Sequence, residues 1–387
     1  MKWVKSEILW LVIVVVIFSN CDTKPKIKIV ETSVQLVDST TFWQQKYEPY
    51  AIEIDKYFAK KHKRTQFYGT VLFAEKGRVI FEKSYGYKKR KTSPEVTLES
   101  TFQIASVTKV FTAVAILMLH EQGLIDIDDS VTKYIPELPY DNYNIKISHL
   151  LSHTSGLGKY THFCDNPDGI WVDKDCSITN EDVIKIMESI EPPLSKTPGK
   201  RFYYANTNFI LLASIIERVT GEKYHDYIAE TIFEPLGMES TKAYFRENDA
   251  ELVNPVKGYE SNFREAINIY LNGCEGDKGI YTNVHDMLKF DQALYSEQLL
   301  KKETLELAFS GNSKPNKWKH NSNYGYGFRT LELPRTHEKI VYHNGWWRGF
   351  RAYFIRRMDK KQTIIILTNV KRGSFLKVID LVGYLPE

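Results

Sequence analysis

"SVTKVFTAVAILMLHEQG", Ser106–Gly123, is the stretch from which the rest of the chain can be read. Val110 to Leu119 is apolar on every side except at Thr112, and a helix apolar all round is a buried central one. Gly123 supplies the glycine that commonly follows a helix end. Ser106 therefore stands near the N-terminus of a buried helix, where free backbone N–H groups and the helix dipole favour negative charge. Lys109 lies on the same face one turn on. Burial disfavours the charged ammonium, so Lys109 is expected to accept a proton from Ser106 at neutral pH, the activation a serine nucleophile needs.

The same Ser-x-x-Lys spacing recurs at Ser130–Lys133 and at Ser374–Lys377. Ser130 follows "DIDD", and Pro136 ends any helix after little more than a turn, so Lys133 is expected on the surface. Ser374 follows Gly373 at the expected start of a terminal helix and reads as a cap. Both are structural readings.

Outward from the central helix, Tyr50, Ile54, Tyr57 and Phe58 recur at helical spacing. Phe67–Ala74 and Val79–Tyr87 then read as a hairpin about Gly77. The middle of the chain is dominated by helical patterns: Glu181–Ile190 after a capping Asn180, Asn208–Val219 before Gly221, and Asn283–Tyr295. Strands return at Gly327–Leu333, Glu338–His343, Phe350–Arg356 and Gln362–Thr368, before a short helix from Phe375. Strands at both ends with helices between imply an α/β chain of the α+β type. One sheet is built from both ends and flanked by helices, with a mainly helical domain inserted. The sheet part is expected at about 46–104 and 325–387, the helical part at about 105–324.

Composition sets limits on function. The 387 residues, 43% of them hydrophobic, suffice for a large core. Lys plus Arg number 52 against 48 Asp plus Glu, a net charge of +4, which argues against nucleic acid as a partner. The basic clusters at Lys60–Arg64 and Tyr87–Lys91 read as solvated surface.

Lys2 and Lys5 precede an apolar run, Ile8–Phe18, of signal-peptide length, so the chain is expected to be exported. Ser19-Asn20-Cys21 resembles a bacterial lipoprotein processing site, which would lipidate Cys21 and tie the chain to a membrane; an uncleaved anchor or ordinary cleavage nearby stays open. Phe18 and Asn20 depart from that pattern. Residues 22–45 read as a polar tether and 46–387 as the folded domain. In an oxidising compartment Cys164 and Cys176 could close a short loop, leaving Cys274 without a partner, or all three could remain thiols. His153, His162 and Cys164 lack the paired spacing of a zinc site, and neither metal nor cofactor is expected.

A larger resemblance rests on several segments in order: "FQIASVTKVFTAVAILMLHEQGLIDIDDSVTKYIPELP", "ISHLLSHTSGL", "PGKRFYYANTNFILLASIIERVTG", "IFEPLGM" and "HNGWWRGF". Together they resemble the serine beta-lactamase-like hydrolases, a group that includes class C beta-lactamases, penicillin-binding proteins, D-aminopeptidases and esterases. Each motif alone is weak; their order and spacing are specific. The resemblance implies an antiparallel sheet, Ser106 as nucleophile and Lys109 as its activating partner. It implies Tyr204 as a second proton-handling group that also activates the deacylating water. Asn206 would hydrogen-bond the substrate. His343, Asn344 and Gly345 match the third motif, on the strand beside the helix. The backbone N–H groups of Ser106 and Trp346 would form the oxyanion hole. "HTSGL", His153–Leu157, would shape the loop region. "GDKGIYT", Gly276–Thr282, would let the backbone approach the site, with Asp277 and Lys278 as neighbours. Trp346, Trp347 and Arg348 would line the cleft or pack against the helical part.

Two departures bear on substrate. Ala205 stands where the family has serine in "YSN", and "HNG" replaces the "KTG" of many beta-lactamases. If His343 holds a substrate carboxylate, its charge should fade as pH rises through about 6.5; a neutral His343 could act as a hydrogen-bond donor instead. The expected activity is hydrolysis of an ester, amide or D-amino-acid peptide through an acyl-enzyme, on a small-molecule or peptidoglycan-like substrate in the cell envelope. A protein that acylates without turnover, or a surface lipoprotein without catalysis, are the alternatives.

Overall fold

The computed structural model describes residues 39–88, 94–164, 177–244, 251–313 and 322–387. The expected signal segment with Cys21, most of the tether, and Cys176 lie outside the described residues. The chain divides into Met1–Pro49 and Tyr50–Glu387. The helix whose apolar spacing began at Tyr50 starts earlier, at Ser39, and runs to Thr65, so the stretch read as tether is helical over its last residues.

The strands are β1 (Gly69–Glu75), β2 (Arg78–Tyr85), β3 (Phe102–Gln103), β4 (Lys242–Ala243), β5 (Ile280–Thr282), β6 (Ser322–Tyr324), β7 (Arg329–Glu332), β8 (Lys339–Trp347), β9 (Phe350–Arg357) and β10 (Gln362–Thr368). Seven of them form one sheet in the order β2-β1-β10-β9-β8-β7-β6, with every neighbouring pair antiparallel. The two ends of the chain meet at β1 and β10, from Gly69 opposite Thr368 to Glu75 opposite Gln362. Both strands are buried along their whole length, which is why "TIIIL" in β10 is a continuous apolar run rather than an alternating one.

Side chains alternate between the two faces. Leu72, Val341, Phe354, Ile365 and Leu367 join the core built around Val110, Phe111 and the other residues of the helix Thr108–Glu121. Val71, Phe73, Ile340, Tyr353 and Ile366 face a second core with Ile54, Phe58 and Leu381. The central helix is enclosed: apart from Met118, His120 and Glu121 all its residues are buried.

Three local readings need correction. The cap of the helix Asn180–Ile190 is Thr179, whose hydroxyl accepts from the Asp182 N–H while the Asp182 carboxylate accepts from the Thr179 N–H. Asn180 is instead buried in the first turn, its amide donating to the carbonyls of Ile210 and Glu275. The terminal helix is Val378–Val382, beginning after Phe375, and Ser374 does not cap it. Its hydroxyl closes a turn onto the Lys371 carbonyl at 2.8 Å.

Candidate active site

β3 leads into a single 3₁₀ turn, Ala105–Val107, and then the helix Thr108–Glu121. Ala105 sits at φ +49°, a left-handed conformation that costs a non-glycine residue about 1–3 kcal/mol. That strain bends the chain so that Ser106 is half-buried at the head of the helix. Lys109 is fully enclosed, with Nζ 3.3 Å from Ser106 Oγ and donating to the Asp277 carbonyl at 2.6 Å. Lys109 Nζ also lies 5.4 Å from the ring centre of Tyr204.

Tyr204 and Asn206 end the loop before the helix Thr207–Thr220. Asn206 caps that helix through its backbone carbonyl, which accepts from Phe209 and Ile210, while its side-chain Oδ1 is buried without a partner among the described residues. An amide oxygen so placed has hydrogen-bonding capacity to spare for a substrate N–H. His153 lies behind Tyr204, with ring centres 4.2 Å apart. Ser155 donates to Asn208 Oδ1, so the Asn208 amide nitrogen donates to His153 Nδ1, which also accepts from the Ala205 N–H. His153 thus holds the loop that carries Tyr204. Burial above all, with Lys109 and Arg329 nearby, keeps it neutral far below the usual histidine range.

His343 is fully buried. Its Nδ1–H donates to the Asn344 carbonyl at 2.9 Å, and Nε2 accepts from the Tyr324 hydroxyl at 3.1 Å. Burial first, then the charges of Arg329 and Lys109, pushes its pKa well below 6.5. The expectation of a histidine that changes charge between pH 6 and 8 is therefore corrected: the imidazole is held neutral. The cation at this end of the site is Arg329, on β7, whose guanidinium lies 5.4 Å from the Tyr204 ring centre and 5.5 Å from that of Tyr324. Its Nε is buried without a partner among the described residues.

β8 carries the third motif against Ser106. A Cβ on Gly345 would lie 2.1 Å from the Ile104 carbonyl oxygen and 3.0 Å from the backbone nitrogen of Ser106, so only glycine admits this approach. Val341, His343 and Gly345 share the face that meets the central helix. By the same alternation Asn344 and Trp346 point the other way, and both are exposed. Their side chains lie on the face away from the central helix, and what they offer towards Ser106 is backbone. Trp346 lies under Lys371 Nζ, 5.1 Å from its ring centre, and Trp347 Nε1 donates to Asn272 Oδ1.

The other serines stay apart. Ser130 shares a hydrogen bond with Thr132, and Lys133, 58% exposed, pairs with Asp129. Cys164 is buried, and its expected partner Cys176 lies outside the described residues. The thiol of buried Cys274 is pushed up to about 12, by burial first. No group of three or more histidine, cysteine or acidic residues suited to a metal occurs among the described residues.

A family model described as Beta-lactamase matches residues 54–381. The chain belongs to the beta-lactamase family. It is 33% identical over 329 residues to penicillin-binding protein 4* of Bacillus subtilis, covering 80% of this chain and 69% of that one. Among solved structures, the octameric penicillin-binding protein homologue from Pyrococcus abyssi superposes with a TM-score of 0.73 at 28% identity, over 86% of this chain and 76% of the other. The D-amino acid amidase from Ochrobactrum anthropi SV3 shares the fold, with a TM-score of 0.66 at 21% identity, over 84% and 91% of the two chains. Within this family frame, motif reading missed Arg329, Tyr324 and Tyr160. A lone arginine or tyrosine in a strand or loop carries no local signal; only the register of Arg329 opposite Tyr342 places it beside Tyr204.

Proposed function

We propose that this protein is an exported serine hydrolase that forms an acyl-enzyme on Ser106 and acts on an ester, amide or D-amino-acid peptide of the cell envelope. The contact of fully buried Lys109 Nζ with Ser106 Oγ at 3.3 Å carries the reading. Ser106 Oγ attacks the substrate carbonyl carbon as its proton passes to Lys109, with Tyr204 beside it. The resulting oxyanion accepts from backbone N–H groups of Ser106 and Trp346. The leaving group departs with the relayed proton, and water, deprotonated through Tyr204, releases the acid and restores Ser106. Arg329, with a donor to spare next to Tyr204, favours substrates bearing a carboxylate near the scissile bond. The N-terminal segment, through Cys21 or an uncleaved anchor, would hold the enzyme at a membrane.

Labelling with a fluorophosphonate probe tests the nucleophile: Ser106→Ala should abolish it, and Ser130→Ala and Ser374→Ala should leave it intact. Labelling that survives Ser106→Ala removes the assignment. The similarity to a penicillin-binding protein supports a second reading, a protein that acylates and stays acylated. A time course with a chromogenic ester and a cephalosporin separates the two. A steady rate after any burst means turnover, and one equivalent followed by silence means the second reading.

A further inference from the structure

Directly behind Lys109 lies a charged cluster that the reaction itself does not use. Asp277, Lys278 and Tyr160 are 0%, 4% and 0% exposed. Lys278 Nζ is 3.2 Å from Asp277 Oδ1, donates to the Tyr160 oxygen at 2.8 Å and reaches the Cys274 carbonyl at 3.4 Å. The Tyr160 hydroxyl closes the ring by donating to Asp277 Oδ2 at 3.2 Å. Burial, and then the Asp277 charge, pushes Tyr160 well above its usual range, so it stays a neutral donor. Replacing such a buried pair by apolar residues of like volume is often neutral or stabilising, so packing alone does not call for charges here.

What the cluster holds is the peptide unit that Lys109 touches. The Asp277 carbonyl accepts from Lys109 Nζ, and the preceding Gly276 carbonyl accepts from the Thr112 hydroxyl of the central helix at 2.7 Å. Gly276 has φ +89°, and a Cβ there would lie 2.4 Å from the Phe209 carbonyl oxygen. The backbone is thereby clamped on both sides. A neutral amine has two N–H groups and one lone pair; giving one N–H to a fixed carbonyl restricts where the lone pair can point. Ser106 Oγ lies 3.3 Å from the same nitrogen, within reach of that lone pair when the amine is neutral.

We propose that Asp277, Lys278 and Tyr160 are positioning residues for Lys109, fixing the Asp277 carbonyl so that the amine is aimed at the nucleophile. This rests on Ser106 and Lys109 being the acylating pair. None of the three touches the substrate in this scheme. A displacement of about 1 Å at a reacting group can cost about 100-fold in rate.

The test is the rate of fluorophosphonate labelling against probe concentration for the full chain, which separates the maximal rate kinact from the binding constant KI. The double substitution Asp277→Asn with Lys278→Met leaves no buried charge unpaired. It should lower kinact about 10- to 100-fold with KI within about twofold, at an unchanged unfolding temperature. Tyr160→Phe removes one hydroxyl and keeps the ring, and it serves if the double variant does not fold; a fall of about three- to tenfold in kinact is expected. Either folded variant with kinact within about twofold of wild type, or with its loss confined to KI, overturns the proposal. A wild-type protein that is not labelled on Ser106 overturns the acyl-enzyme reading itself, whereas labelled wild type with unaffected variants overturns only the positioning role.

Discussion

The surroundings of His343 and Arg329 bear on which of the two could hold a substrate carboxylate. Histidine in place of the lysine of many beta-lactamases suggested a carboxylate holder that loses its charge near neutrality. In the folded protein the imidazole is enclosed, satisfied in its neutral tautomer and placed near Arg329 and Lys109. KM for an ester bearing a carboxylate should therefore stay flat between about pH 6 and 8. Arg329→Gln should raise that KM about tenfold or more and leave a matched neutral ester unchanged. A KM that climbs through this range in wild type would return the role to His343. Asn206 allows a sharper separation of function from stability. Its Oδ1 makes no hydrogen bond among the described residues, so Asn206→Ala should not lower the unfolding temperature, while kcat/KM for an amide substrate should fall about tenfold. Residues with a motif were legible in the sequence: Ser106 and Lys109 through their buried helix, Tyr204 and Asn206 through "YAN". Arg329, Tyr160 and Tyr324 were not, because their chemistry comes from neighbours far away in the chain.

At the scale of elements, legibility follows length and the source of stability. β10 and the helix Thr108–Glu121 carry enough apolar residues to announce themselves. β3 and β4 have two residues each and β5 and β6 three, too few for an alternating pattern; what makes them strands is the partner each finds in the fold. Asn180 could have capped its helix as well as Thr179 by residue type, and only the docking of Asn180 onto Ile210 and Glu275 decides between them. Thr179→Ala should cost about 1 kcal/mol of stability in denaturant unfolding and leave activity unchanged. The close approach of β8 to the 3₁₀ turn is a stricter constraint. At Gly345 a Cβ would meet backbone atoms of Ile104 and Ser106, which cannot rotate away as a side chain can. Gly345→Ala should nearly abolish acylation of Ser106. Near-normal labelling of that variant would mean that the strand can withdraw from Ser106 without consequence.

For the whole molecule, a sheet closed by pairing β1 with β10 leaves Lys109, His153 and His343 in the interior between sheet and helices, and the burial of the histidines makes stability depend on pH. His153 and His343 are both fully buried, with pKa values well below 6.5, burial being the first cause in each. Half-buried His149 is lowered for the same reason. Below about pH 6.5 the unfolded chain binds protons on these residues and the folded chain does not, so stability rises with pH in this range and is lost on acidification. His225 acts in the opposite sense. Burial lowers its pKa, but the hydrogen bond to Glu275 and nearby carboxylates outweigh this, and its raised value stabilises the fold below pH 6.5. Glu275, raised by burial, also favours the folded form on acidification. The carboxylates of Asp55, Asp129, Glu137 and Glu338 are lowered, so their contribution disappears only below about pH 4.5. Between about pH 6.5 and 5 the fully buried histidines should dominate, the slope from each growing from about 0.7 kcal/mol per pH unit at pH 6.5 towards a limit of about 1.4 in more acid solution. Denaturant unfolding at pH 7, 6 and 5 should show stability falling with acid, and His343→Gln, which has nothing to protonate at that position, should show a shallower fall. Equal slopes in the two proteins would mean that His343 takes up its proton as readily in the folded chain as in the unfolded one, and that the site is open to water.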